Sequence, residues 1–292
     1  MTSQSSIPYY ARVVRHFGST RALEILALQA SPILGILLGG FSPGKDGVIR
    51  PGLLILGSLA LTSHIFVLND WAGHVSDSRD SRRVTLVFDQ GINRRQVARV
   101  ALALLIFANV AFAVIGREAV LIGDGIATLS LIYSCSPSFG KSTPIAASIN
   151  HLVGGSLHFL LGYSLWRAVD VHGVLISLFF GFVFVAGHLN QEVRDYEGDL
   201  LNQIRTSAVV FGCRRTFFAS LFFFTVAYAI LLSLSAKGIL PRLLLWSVGL
   251  WLLHVVWAVQ ALRRGLGFET AIWMQRRYRL LFAFIGMAML AR

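Results

Sequence analysis

Cysteine is nearly missing from this chain. Cys135 and Cys213 are its only two, which leaves no disulfide framework and no cysteine metal cluster. Acids are scarce as well: 14 in 292 residues, within a charged fraction of 14%, where soluble domains run near 25%. No Walker-type loop, zinc motif or nucleophile elbow is present. No cleavable signal peptide is visible, because the chain is polar up to Arg21 and the first apolar run is long enough to stay as a span. What fills the chain is apolar: hydrophobic residues make up 55%, and the mean hydropathy is +0.67. A soluble core does not need that much. The composition implies an all-α polytopic membrane protein, a single domain over residues 1–292 with a polar cytoplasmic N-terminus at 1–21. The net charge of +12 is compatible with nucleic-acid binding. Basic cytoplasmic loops produce the same excess, and no nucleic-acid partner is expected.

A membrane-crossing helix needs about 20 mostly apolar residues. Nine stretches qualify, at 22–41, 52–69, 97–115, 119–135, 145–165, 171–191, 216–236, 243–262 and 271–291. The last is the weakest, since Arg276, Arg277 and Arg279 interrupt it. Pro32 is expected to kink the first helix, with neighbouring helices re-satisfying the freed backbone carbonyl. Placing the N-terminus inside divides the 26 basic residues 19 inside to 7 outside, which sets the orientation as N-in and C-out.

Eight of the 14 acids gather where two apolar segments end. Asp70, Asp77, Asp80 and Asp89 follow the second span, and Glu192, Asp195, Glu197 and Asp199 follow the sixth. Residues four apart share a helix face, so Asp195 aligns with Asp199, and Asn69 with Gly73 and Asp77. Each stretch presents oxygen ligands in a row, facing the cytoplasm. Mg²⁺ takes oxygen ligands and is held by one or two carboxylates together with substrate phosphate oxygens. The plain alternative is solvated loop acids pairing with nearby arginines. Direct continuation from apolar helices and repetition in two places favour the metal. The two stretches lie four spans apart, each followed by a basic loop and a glycine, Gly91 or Gly212. That echo would bring them face to face across a central cavity. Cations for an anionic ligand are Lys141, which is the only base of its loop, then Arg83 and Arg205 by position.

These residues resemble the UbiA superfamily of intramembrane prenyltransferases. Asn69-Asp70-Trp71-Ala72-Gly73-His74-Val75-Ser76-Asp77 is similar to the family's first motif. Asn190 to Asp199, running on to Arg205-Thr206 and Phe211-Gly212, resembles the second in its menaquinone-type branch. Tyr133-Ser134, Pro137-Ser138, Gly140-Lys141, Pro144, Asn150 and Gly154 look like the segment between them. The resemblance implies Mg²⁺ bridging Asn69, Asp70, Asp77, Asp195 and Asp199 to an isoprenyl diphosphate, with Lys141, Arg83, Arg205, Tyr133 and Asn150 binding substrate. Ionisation then gives an allylic cation inside the bundle, which an aromatic or lipidic acceptor captures.

Two departures matter. Gly73 stands where the family has its middle aspartate, and Val84 to Phe88 replace an Arg-Pro, so that Arg83 is a displaced substitute. The pattern Asn69-x-x-x-Gly73-x-x-x-Asp77 is similar to UbiA-type terpene cyclases, which quench the cation on its own double bonds against aromatic walls. Phe222, Phe223, Phe224 and Tyr228, with Trp246, Trp251 and Trp257, are available for such walls, although lipid-facing or packing bulk accounts for most aromatics. Transfer and cyclisation both remain open, and paired cytoplasmic carboxylates also suit ion coupling in a transporter. His64, His151, His158, His188 and His254 lie in or near spans as packing residues or proton carriers. Asp124 is expected to pair or to face a cavity, and Gly154-Gly155 to permit close helix packing.

Overall fold

The computed structural model describes residues 22–40, 47–77 and 93–291, with only the backbone at 74–77. The polar N-terminus, Asp80, Arg83, Asp89 and Gly91 lie outside the described residues, as does the side chain of Asp77.

Among the described residues the fold is helical, without strands. In chain order the helices are α1 (Ala22–Leu28), α2 (Ala30–Leu38), α3 (Ile49–Asp77), α4 (Arg94–Ile115), α5 (Arg117–Cys135) and α6 (Pro144–Tyr163). They continue with α7 (Val171–Leu201), α8 (Ser207–Phe211), α9 (Cys213–Ala236), a 3₁₀ turn at Arg242–Trp246, α10 (Ser247–Arg264) and α11 (Phe268–Ala288). Each of the nine expected spans coincides with helix. By length and composition seven of them can cross a membrane. The other two fall short for visible reasons. The first is split into α1 and α2, and α11 carries the three arginines read from the sequence.

The split lies upstream of Pro32. Proline has no N–H to give the carbonyl four residues back, and its ring crowds that carbonyl. The break falls there, at Leu28 and Gln29. Gln29 repairs part of the loss: its Nε2 donates to Ile25 O at 3.1 Å and to Thr62 Oγ1 of α3 at 3.1 Å. Elsewhere the ends are set by local chemistry. Asn93 caps α4 by accepting from Arg95 N at 2.9 Å, while Gln96 Oε1 accepts from Asn93 N, a reciprocal capping box. Asp170 caps α7 by accepting from Gly173 N at 2.8 Å. That bond, more than the flanking Tyr163 hydroxyl and Arg167, holds the Asp170 carboxyl below its ordinary value. Gly212, at φ 86°, supplies the left-handed turn from α8 into α9 that other residues resist.

α6 is the hub. It packs on α2, α5 and α7, while α3, α4 and α5 form one group beside it and α7, α9, α10 and α11 the other. The buried apolar residues follow this division. Leu34, Phe159, Phe180, Tyr228 and Ile285 belong to one cluster, and Leu54, Phe112, Ile126 and Leu161 to the second. Close crossing depends on glycine. A Cβ on Gly162 would collide with the Pro32 carbonyl of α2, and one on Gly35 with the Phe159 carbonyl. Of the expected pair Gly154-Gly155, only Gly155 is a packing glycine: its Cβ would meet Phe184, whereas Gly154 has nothing within 4 Å.

The outer surface is apolar. Leu102, Ile106, Val110 and Val114, each four residues apart on α4, are all more than half exposed. Such a stripe is costly in water and suited to lipid. With seven helices among the described residues long and apolar enough to cross a bilayer, the chain is an integral membrane protein.

Candidate active site

Both acid-bearing stretches occupy the C-terminal ends of long helices. Asn69, Asp70, Gly73 and Asp77 lie in the last part of α3, and Glu192, Asp195, Glu197 and Asp199 in the last turns of α7. A helix C-terminus already carries about half a negative charge, and the last turn of α7 holds no basic residue. Carboxylates there oppose the dipole, so the ends of α3 and α7 favour a cation. α3 and α7 do not pack along one another.

On α3, Asp70 is buried. Beside it Asn69 Oδ1 is enclosed and has no hydrogen-bond donor among the described residues. A buried acceptor without a partner costs about 1–3 kcal/mol, and that cost disappears if a cation is bound. Arg94 of α4 lies over the Trp71 ring at 4.6 Å, so this base is held by an aromatic face.

On α7, His188, Glu192, Asp195 and Asp199 follow one another at intervals of four, three and four residues, which places them on one face. Asp199 is buried. Asp195 is partly open, with its two oxygens 2.8 Å from Nε and Nη2 of Arg194. Arg194 also donates from Nη1 to Gln275 Oε1 of α11 at 3.3 Å. Glu192 is buried, accepts from Ser207 N at 2.9 Å through Oε2, and has Oε1 3.0 Å from His188 Nε2. Asn190, on another face, donates to Ala271 O of α11 at 3.3 Å.

The loop after α5 brings its motif together tightly. A Cβ on Gly140 would strike the carbonyls of Ser136 and Tyr133, and the next residue, Lys141, donates its backbone N–H to Tyr133 O at 2.9 Å. Tyr133 lies edge-on to His151 and His188. Asn150 Nδ2 donates to Leu129 O at 2.7 Å, which ties α6 to α5 and leaves its Oδ1 for a ligand. Arg205 is exposed just beyond α7. Among the described residues no group of three His, Cys, Asp or Glu is assembled as a metal site.

Other expectations divide. His64 is a packing residue, its Nδ1 2.8 Å from Ala101 O, and His158 Nε2 lies 3.1 Å from Ser58 Oγ of α3. His151 and His188 are not isolated packing residues, because their rings stack. Asp124, expected to pair or face a cavity, is exposed on α5. Of the aromatics, Phe224 and Tyr228 are buried in the core, while Phe222 and Trp246 are 61% and 79% exposed, so the last two face lipid. An apolar cavity of about 430 Å³ opens between α6, α7, α8 and α9. It is lined by Ile145, Ile149, Leu189, Phe211 and Phe223, with Arg215 as its cation. Its lining suits a hydrocarbon chain. Glu192 belongs to the second acid stretch read from the sequence, but its contact with His188 and the clasp of Arg194 on Asp195 appear only in the structure. The signal for Glu192 was its spacing of four from His188.

The UbiA prenyltransferase family model matches residues 33–286. The chain belongs to this family. Its fold is that of UbiA homologues of known structure. A UbiA homolog from Archaeoglobus fulgidus, bound to GPP and Mg²⁺, superposes with a TM-score of 0.72 at 17% identity, over 97% of this chain and 99% of that one. A homolog from Aeropyrum pernix K1 in the apo state gives 0.69 at 17%, over 90% and 96%. Digeranylgeranylglyceryl phosphate synthase gives 0.68 at 15%, over 96% and 98%. At such identities the likeness is one of fold. No curated protein sequence matches the chain.

Proposed function

We propose that this UbiA protein is a Mg²⁺-dependent intramembrane enzyme that ionises an isoprenyl diphosphate and transfers the prenyl group to an aromatic or lipidic acceptor. The observation that carries the reading is Asn69 Oδ1, a buried acceptor without a donor among the described residues, next to the buried Asp70. Asn69, Asp70 and Asp77 on α3 and Asp195 and Asp199 on α7 would hold the metal, the two rows facing each other across the bundle. Bound Mg²⁺ would neutralise charge on the diphosphate leaving group. The hard-oxygen donor set fits this ion. That a relative of the same fold is bound to GPP and Mg²⁺ supports the same ligands here.

The chain's own groups would do the rest. Lys141, Arg205 and Arg83 bind diphosphate oxygens. Tyr133 and Asn150 border the prenyl group where α5 meets α6. The apolar surroundings exclude water, so the allylic cation meets its acceptor before it is hydrolysed. The single domain sits N-terminus inside, with both acid rows on the cytoplasmic side, where a soluble diphosphate can enter.

Gly73 favours a second reading. A first row short of one carboxylate resembles the cyclase pattern, in which the cation closes on its own double bonds and no acceptor takes part. Membranes containing the protein, given Mg²⁺ and labelled geranyl, farnesyl or geranylgeranyl diphosphate, distinguish the two. Transfer predicts prenylated product only after an acceptor extract is added. A cyclic hydrocarbon or alcohol without acceptor would overturn transfer, and no diphosphate release from any donor would leave a transporter or an inactive relative.

A further inference from the structure

Two histidines from different helices stack inside the bundle. The rings of His151 on α6 and His188 on α7 lie 3.7 Å apart and within 7° of parallel. Tyr133 of α5 meets both edge-on, at 5.0 and 6.1 Å between centroids. His188 Nε2 is 3.0 Å from Glu192 Oε1, and Glu192 is held on its other oxygen by Ser207 N. The cluster thus ties α5, α6, α7 and the start of α8 together at one point.

The proton positions follow from the partners. His151 Nδ1 lies 2.9 Å from Ala147 O. A carbonyl only accepts, so Nδ1 carries the hydrogen. In the neutral ring Nε2 is then a bare lone pair, and among the described residues nothing donates to it. The ring is partly exposed, not sealed in the core. His188 Nε2 lies 3.0 Å from Glu192 Oε1, a close contact between a ring nitrogen and a carboxylate. Two imidazoles in face contact cannot both be charged, because like charges this close repel strongly. Glu192, buried beside His188, places a carboxylate against one ring of the stack. Tyr133 from α5 and Glu192 from α7 are titratable groups in contact with the pair. The open basic atom of the cluster is therefore His151 Nε2.

Its place on α7 says which proton. His188 is seven residues from Asp195, on the same face and about 10 Å deeper along the helix axis. That is the hydrocarbon end of the site, away from the diphosphate. We infer that His151 is the general base that removes the proton released after ionisation, with His188 and Glu192 as positioning residues that offset its charge. This rests on the reading that the enzyme ionises a prenyl diphosphate. The C–O bond breaks with its electron pair leaving on the diphosphate oxygen, and a new bond forms to the cationic carbon. The bond that then holds the surplus proton gives its electron pair back to the product, while the proton passes to His151 Nε2. It returns to water as product leaves. The same base serves whether the new bond reaches an acceptor or closes a ring.

The test separates ionisation from proton removal. Full-length protein in membranes is given Mg²⁺ and the labelled diphosphates, with and without acceptor extract, and both diphosphate release and prenyl product are followed across pH. In His151→Gln, diphosphate release is expected to persist. Product should fall at least tenfold, prenyl alcohol should accumulate, the acid limb of the product profile should disappear, and added imidazole should restore product in part. Glu192→Gln keeps an acceptor for Ser207 N but removes the charge, and should move the acid limb to lower pH. Unchanged product yield and profile in His151→Gln would overturn the inference. If His151→Gln also loses diphosphate release, an unmoved acid limb in Glu192→Gln overturns the inference, and a limb moved to lower pH supports it. No diphosphate release by the unaltered protein overturns the ionisation reading together with this one.

Discussion

Asp195 and Asp199 share a face but differ in setting. Asp199 is buried, and Asp195 is one-quarter exposed, with its carboxylate against the guanidinium of Arg194. Arg194 clasps both oxygens of Asp195 and fixes the carboxylate near the end of α7. Replacing either aspartate by alanine removes an oxygen ligand from the α7 row. Turnover of the prenyl diphosphate is expected to fall by ~100-fold or more, beyond the loss seen when mere supporting partners of a metal are removed. Membrane insertion, followed by protein level in washed membranes, should be unchanged. Mg²⁺-dependent turnover retained in both variants would remove them from the metal site. The alignment of these two acids was legible from their spacing alone. The Arg194 clasp was not, because adjacent residues point about 100° apart on a helix and side-chain reach decides whether they meet. The His151 stack was hidden for a different reason: its partner comes from another helix, 37 positions along the chain.

Among the elements, α2 and α6 show how little space the bundle leaves. Their backbones touch at Gly162 and Pro32, and at Gly35 and Phe159. Adding one methyl group at Gly162 must push α2 away from the hub helix, so Gly162→Ala is expected to destabilise the protein by ~1–3 kcal/mol, as overpacking does. Gly154 on the same helix has open space around its Cβ position. There alanine gains about 0.5–1 kcal/mol of helix propensity and meets nothing. Thermal unfolding in detergent should thus show Gly162→Ala melting below the unaltered protein and Gly154→Ala at or above it. Equal melting of the two variants would show that the crossing tolerates a side chain. Neither residue type nor neighbours distinguished these glycines in the sequence. The break before Pro32 was partly legible. The missing N–H fixed that the helix must yield, but its location at Gln29 depends on the side-chain bonds Gln29 makes to Ile25 and Thr62.

For the whole molecule, the helical membrane architecture was legible because apolar length is a direct requirement of the bilayer. Counting crossings was harder at the two ends, where a break upstream of Pro32 splits the first apolar run into α1 and α2 and three arginines interrupt the last within the continuous α11. Orientation rests on the distribution of basic residues, and the scarcity of cysteine makes it testable. Cys135 ends α5 and is exposed, while Cys213 begins α9 and is partly exposed. With the N-terminus inside, both lie at the cytoplasmic face, the same side as the two acid rows. A membrane-impermeant thiol reagent is therefore expected to label inverted vesicles and to leave sealed right-side-out cells unlabelled. Lys237, at the end of α9, lies on the opposite face in this topology. In a variant whose two native cysteines are replaced by serine, Lys237→Cys should be labelled in intact cells. Labelling of Cys135 from outside would invert the topology, and the diphosphate would then have to be supplied from the other side of the membrane.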